Sequence, residues 1–189
     1  MSVPILLFAA TLAAAQDSKP CETPSQWEGS YVRTDYEKTF SQAARIGYDE
    51  TEKRVRETEE IDIDNERDYY DVLYLHNMNK EYRLNLRTRK CNTTTLSRPW
   101  LPFGLPSGAV YDVVYDVIGP VDTNVVSVRF SGTLTEGDFV GTVSFPDCIP
   151  IDFGFYSNHT GFVHTRFFDI TTGILDPTVF HPPPECATP

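Results

Sequence analysis

Apolar and polar residues alternate with a period of two along much of this chain. Between residues 81 and 87, Tyr82, Leu84 and Leu86 alternate with Glu81, Arg83, Asn85 and Arg87. Such a segment is a strand with one buried and one wet face. Similar runs recur at short spacing. Gln26 to Tyr36 carries Trp27, Tyr31 and Val32 as its apolar points. Phe40 to Tyr48 follows and closes at Asp49-Glu50. Lys53 to Ile63 alternates poorly and is densely charged, the pattern of an edge strand. Tyr69 to His76 reads as a strand bounded by the polar turn Asn77-Met78-Asn79-Lys80.

The second half continues in the same way. Val110, Val113, Val114, Val117 and Ile118 fit a helical stripe. However, Val and Tyr fill the segment and Gly119-Pro120 stops it early, so a strand is predicted. Val126, Val128 and Phe130 share one face of the next. Thr135-Glu136-Gly137-Asp138 is a hairpin turn, after which Phe139, Gly141, Val143 and Phe145 fall in phase. Ile149, Ile151, Phe153 and Phe155 do likewise, and Gly161 to Ile170 forms the last strand. Arg98 to Gly108, rich in Pro and Gly, is a loop. The tail from Asp176 is irregular apart from one helical turn. About ten strands joined mostly by short turns mean an all-β fold with little helix, an antiparallel sandwich or open barrel. The aromatic positions suit either a solid core or a ligand-lined cleft between sheets.

Composition sharpens this picture. The chain has 189 residues and a net charge of −11, which argues against non-specific nucleic-acid binding. Its 10 Tyr and 12 Phe suit strands. Val3 to Ala15 is apolar, too short to span a bilayer, and ends in Ala13-Ala14-Ala15. Residues 1–15 therefore read as a secretory signal peptide, leaving a single β domain over 16–189. No later window anchors the chain in a membrane. In an oxidising compartment Cys21, Cys91, Cys148 and Cys186 should pair, and spacing alone leaves all three pairings open. Asn92-Thr93-Thr94 and Asn158-His159-Thr160 are glycosylation sequons at Asn92 and Asn158.

Candidate chemistry is sparse. The sequence holds no nucleophile elbow, zincin, P-loop or dinucleotide motif. His76, His159, His164 and His181 lack ligand spacing, so no catalytic residue is assigned and a non-enzyme is expected. Asp62 to Asp68 begins like a calcium loop. It then fails, with Arg67 where the glycine belongs and Leu73 where the bidentate Glu belongs. Asp169 and Asp176 flank Thr171-Thr172-Gly173 and are the candidate calcium ligands.

More specific patterns lie at the two ends. Thr165 to Ile170 is followed by Gly173-Ile174, Asp176-Pro177-Thr178-Val179-Phe180, Pro182-Pro183 and Cys186. This resembles the end of the ependymin-related proteins of the mammalian type. Pro20-Cys21, Pro24 and Trp27-Glu28-Gly29 resemble that family's opening. Tyr48-Asp49, Lys53 to Arg56, Leu73-Tyr74, Lys90-Cys91, Pro99-Trp100 and Asp147-Cys148 with Pro150 fall between them in family order. The resemblance implies two curved antiparallel sheets forming a half-barrel around a hydrophobic pocket, similar to the LolA-like bacterial lipoprotein carriers. It implies a secreted or lysosomal glycoprotein, a homodimer, that binds lipid-like molecules and calcium. It also implies the pairings Cys21–Cys148 and Cys91–Cys186. Two further cysteines found in many relatives are both missing here, as loss of a whole disulfide would require.

Two functions follow from these readings. In the first, a non-catalytic carrier of amphipathic lipids lines its pocket with Trp27, Leu73, Leu84, Val128, Phe130, Phe153 and Phe155. In the second, a calcium-dependent extracellular-matrix or adhesion glycoprotein acts through its acidic edge and glycans.

Overall fold

The computed structural model describes residues 21–96, 98–104, 112–135, 137–158 and 161–186. Residues 1–15, read above as a signal peptide, lie outside them, as do Val110, Tyr111, Glu136, His159, Thr160 and the end of the loop beyond Gly104.

Eleven strands are described: β1 Gln26–Asp35, β2 Phe40–Asp49, β3 Arg54–Ile63, β4 Glu66–Leu75, β5 Lys80–Asn85, β6 Cys91–Thr95, β7 Asp112–Ile118, β8 Val125–Leu134, β9 Gly137–Ser144, β10 Pro150–Ser157 and β11 Gly161–Thr172. All pair antiparallel in the order β6-β5-β4-β3-β2-β1-β11-β10-β9-β8-β7. The all-β antiparallel architecture is as expected. The two expected sheets are joined into one, because the first and last strands pair with each other. Two meanders, β1–β6 and β7–β11, therefore share a single ladder.

Local chemistry explains the turns. Asp64 and Asn65 connect β3 to β4 with φ of 52° and 68°. Both residue types tolerate the left-handed region that a two-residue hairpin needs. The acidic run that opens like a calcium loop is thus a hairpin tip. The turn after β4 is a 3-10 helix, His76–Met78, ended by Asn79 at φ 51°. Asp169, at φ 53°, sits in a bulge of β11 where the register with β1 shifts between Glu28 and Ser30. Gly29 faces that bulge, and a Cβ there would stand 2.8 Å from Ile170 Cγ1. That close approach is the physical reason for glycine after Trp27-Glu28.

Several sequence expectations change. The segment read as Lys53–Ile63 is not an edge strand: β3 lies between β2 and β4. Two of its carboxylates are inside, Glu57 beside the Tyr31 hydroxyl and Glu59, only 3% exposed, beside Arg83. The edges are β6 and β7. Strand β6 is an addition to the expected set. Cys91-Asn92-Thr93-Thr94-Thr95 has no apolar alternation to reveal it, although threonine favours strands. Thr171 and Thr172 belong to the end of β11 and do not form a turn between Asp169 and Asp176.

Two disulfides close the fold, Cys21–Cys148 and Cys91–Cys186, with Cα–Cα distances of 5.6 and 5.2 Å. The first ties the start of the domain to the β9–β10 turn. The second pins the C-terminal tail to β6. That tail lays Phe180 against Gly47, Leu73 and Tyr82, while Arg56 donates to the carbonyls of Val179 and His181.

Candidate functional site

Cross-strand register sorts the side chains into two faces. Direct partners in a ladder point to the same side of a sheet. The chain Trp27↔Tyr48↔Val55↔Tyr74 defines one face, which continues through Tyr31↔Phe167, Thr165↔Phe153↔Gly141↔Phe130 and Val128↔Tyr115. This face is aromatic across most of the sheet. Trp27 meets Phe167 at 6.2 Å, Phe139 stacks over Phe153 at 6.4 Å, and Phe130 meets Phe139 at 6.2 Å between centroids.

At the Trp27 end the face is covered by the segment after β6. Trp100 stacks on Tyr48 at 5.5 Å, Phe103 packs on Trp27 at 5.1 Å, and the Phe103 amide donates to Tyr48 Oη at 2.9 Å. Burial pushes the Tyr48 hydroxyl up to about 12. His76 lies edge-on to Trp100, and burial, helped by Arg98 and Lys53, holds its imidazole below the usual value. The expected surface loop is thus, through Gly104, a strap over the sheet.

At the opposite end none of the described residues covers the same face. Val128 and Phe130 are buried. Beside them Tyr115 is 57% exposed and Val117 63%, and Val126 is exposed as well. Phe145 meets Tyr115 edge-on at 5.4 Å and is itself exposed. These side chains form an apolar shelf continuous with the aromatic core, because Tyr115 pairs with Val128 and Val117 with Val126. Phe153 and Phe155 are half-buried beside the core.

Across β1, β2, β3 and β5 the same face carries a charged network. Tyr31 Oη donates to Glu57 Oε1 at 3.0 Å. Gln42 donates to Glu59, which also accepts from Arg83 Nη2 at 2.8 Å. Arg33 donates to Gln42 Oε1 at 3.1 Å and to Thr165 Oγ1 at 3.2 Å. Burial pushes the Glu59 carboxyl up, Arg83 opposing it and Glu57 reinforcing it. Burial and the neighbouring Glu57 push the Tyr31 hydroxyl far above its usual value. Sequence reading missed this network because its members, with Thr165 of β11, lie on five strands. The available signal was parity: Arg33, Gln42, Glu57 and Glu59 each fall in phase with an apolar neighbour on the same strand.

The expected pocket residues divide between the faces. Trp27, Val128, Phe130, Phe153 and Phe155 share the aromatic face. Leu73 lies on the opposite face under Phe180, and Leu84 is buried on that same side. That opposite side also holds an open groove of about 340 Å³, bordered by Arg45, Thr58, Glu60, Tyr69 and Phe168. None of the seven expected residues lines it. Asn92 and Asn158 are both exposed. Asp176 caps a 3-10 turn, Pro177–Phe180, accepting from the Thr178 amide at 2.9 Å and hydroxyl at 2.8 Å. Those bonds hold its carboxyl below the usual range. Among the described residues, no group of three or more His, Cys, Asp or Glu stands together as a metal site. Nor is any helix there long and apolar enough to cross a membrane.

Comparison with known proteins follows the same lines. The family model described as Ependymin matches residues 64–186. Mammalian ependymin-related protein 1 of Rattus norvegicus is 30% identical over 175 residues, covering 90% of this chain and 77% of the relative. Among solved structures, an uncharacterized conserved protein from Thermus thermophilus superposes with a TM-score of 0.52 at 8% identity, covering 86% of this chain and 88% of that one. A LolA superfamily protein from Nitrosomonas europaea matches more loosely, at a TM-score of 0.35 and 10% identity over 84% of this chain and 90% of that one.

Proposed function

This chain belongs to the ependymin family, and we propose that it is a secreted, non-catalytic glycoprotein that binds lipid-like amphipathic molecules on the aromatic face of its sheet. The observation that carries this reading is the shelf formed by Tyr115, Val117, Val126 and Phe145. It exposes apolar surface contiguous with the core, where a solvated strand would alternate with polar residues. Covering it with an acyl chain removes apolar area from water, at roughly 25 cal/mol per Å².

Secretion is supported by the two disulfides, which persist in oxidising compartments. On this reading residues 1–15 are removed and glycans sit on the exposed Asn92 and Asn158. Native mass spectrometry after incubation with palmitoyl lysophosphatidylcholine tests the binding reading. Retention of about one lipid per chain is expected. A spectrum identical to that of the untreated protein, across a series of chain lengths, would overturn it.

A further inference from the structure

We propose that the glycan on Asn158 folds back onto a platform of rings, Tyr156, Phe162 and Tyr36, on the side of the sheet opposite the aromatic face. This inference rests on the glycoprotein reading above and gives one of its two glycans a seat. Three neighbouring places in the chain assemble the platform. Tyr156 near the end of β10 pairs directly with Phe162 at the start of β11, so both side chains leave the same side of the sheet. Phe162 stacks on Tyr36, just beyond β1, at 6.4 Å with 14° between planes. It also stacks on His164 at 6.2 Å with 15° between planes. Gly154 lets the Phe162 ring lie across β10: a Cβ there would stand 2.9 Å from two carbons of that ring.

The register keeps this group apart from the lipid shelf. Phe153 and Phe155 of β10, with Thr165 and Val163 of β11, belong to the aromatic face. Tyr156, Phe162 and His164 alternate with them and point the other way. A side of a sheet that meets water is ordinarily polar. Here Tyr36 is 69% exposed and Tyr156 44%. Clustered rings in such a place mark a surface that something covers.

Position in the chain names the occupant. Asn158 directly follows β10, is exposed, and stands two residues beyond Tyr156, in phase with it. An N-linked glycan begins at the asparagine amide with N-acetylglucosamine. Such a pyranose has hydroxyls at its edges and a face of C–H groups that stacks on an aromatic ring. Stacking removes apolar area of both partners from water and leaves the hydroxyls solvated. The covalent tether gives a high effective concentration, so even a weak stack is populated. The other sequon lacks this arrangement. Asn92 has Lys90 two residues before it and Arg83 across the ladder. The two sites are therefore an internal comparison, with the Asn158 glycan docked and the Asn92 glycan free.

Full-length protein secreted from mammalian cells tests this, with mass spectrometry reading the occupancy of both sequons. Thermal unfolding is recorded for the unmodified chain, for N92Q, N158Q, Y156S and Y156F, and for N158Q combined with Y156S or Y156F. N158Q is expected to lower Tm by about 2–4 °C and N92Q by less than about 1 °C. The N158Q effect should vanish in the Y156S background and persist in Y156F. Enzymatic deglycosylation of folded N92Q repeats the measurement without relying on secretion of N158Q. In proton NMR, the N-acetyl methyl of the Asn158-linked sugar should be shifted upfield by the rings, and Y156S should return it to its ordinary position. Equal falls in N92Q and N158Q, additive effects of N158Q and Y156S, or an unshifted methyl signal would overturn the docked glycan and leave the glycoprotein reading standing. Absence of a glycan at Asn158, read by mass, would overturn the glycoprotein reading at that site and this inference with it.

Discussion

The two meanders of this sheet treat their apolar surface in opposite ways. In β1–β6 segments of the chain itself cover part of each face. Trp100 and Phe103 close one face over Trp27 and Tyr48, and Phe180 closes the other over Leu73 and Tyr82. A disulfide and the Arg56 contacts hold that second cover down. In β7–β11 the aromatic face has a buried centre at Val128, Phe130 and Phe139 and then runs into solvent. The two edges repeat the contrast. Strand β6 is short, polar and bears a sequon, which are features that discourage pairing with another chain. Strand β7 exposes Val114, Tyr115, Val117 and Ile118. The first meander spends its covering segments on stability, and the second leaves surface available for a ligand.

Removing the Cys91–Cys186 bridge by Cys91→Ser and Cys186→Ser should give the largest effect. It closes a span of 95 residues, so about 4–5 kcal/mol of stability is expected to disappear. Hydrogen exchange should accelerate in β4 to β6 and in the tail, while β8 to β10 keep their protection. Equal loss of protection in both meanders would break the distinction drawn between them.

Asp49→Asn comes next. Asp49 is fully buried at the end of β2 and takes both Nε and Nη2 of Arg54 at 2.8 Å. Burial alone would raise its carboxyl, but hydrogen bonds from Gln26, Arg54 and the Glu52 amide outweigh it and hold the group below its ordinary value. A carboxyl with a depressed folded pKa stabilises above its unfolded value, near 3.8, and ceases to do so as pH falls through the folded one. Urea denaturation at pH 7 should therefore show a loss of about 3 kcal/mol. The gap from the unmodified chain should close as pH drops below about 3.8. A gap that stayed constant with pH would mean that the charge of Asp49 is not what matters.

The smallest expected stability change is the most informative about function. Tyr115→Ser with Val117→Ser, on the exposed shelf, should alter stability by no more than about 0.5 kcal/mol. The same double variant should weaken lysophosphatidylcholine binding several-fold. Unfolding at a much lower urea concentration would show instead that the shelf is part of the core.

What could be read from the sequence follows from where a strand's neighbours lie. Alternation in Tyr82-Arg83-Leu84 and around Trp27 and Tyr31 depends on one buried face, so those strands were legible. Strand β3 was misplaced to the edge because its Glu57 and Glu59 look solvent-facing until Arg83, 24 residues from Glu59 along the chain, is brought beside them. Strand β6 was invisible because its ladder needs only backbone and threonine. The faces of Leu73 and Leu84 depended on register: one residue's shift in phase exchanges core for tail contact. Parity grouped Val126, Val128 and Phe130 of β8 and Phe139, Gly141 and Val143 of β9 on the aromatic side, but in β10 it holds only for Phe153 and Phe155: the bulge between Pro150 and Asp152 puts Pro150, not Ile149, opposite Val143. Which part of that side stays exposed depended on how far the strap and the tail reach, and that is set by tertiary packing.

Photo-crosslinking with a diazirine-bearing lysophosphatidylcholine, followed by peptide mapping, addresses the ligand surface most directly. Label is expected on the aromatic face, at Tyr115, Val117, Val126 and Phe145 and inward to Phe153 and Phe155. Label confined to the opposite groove at Tyr69 and Phe168, or no label above that of an unrelated secreted protein, would contradict it.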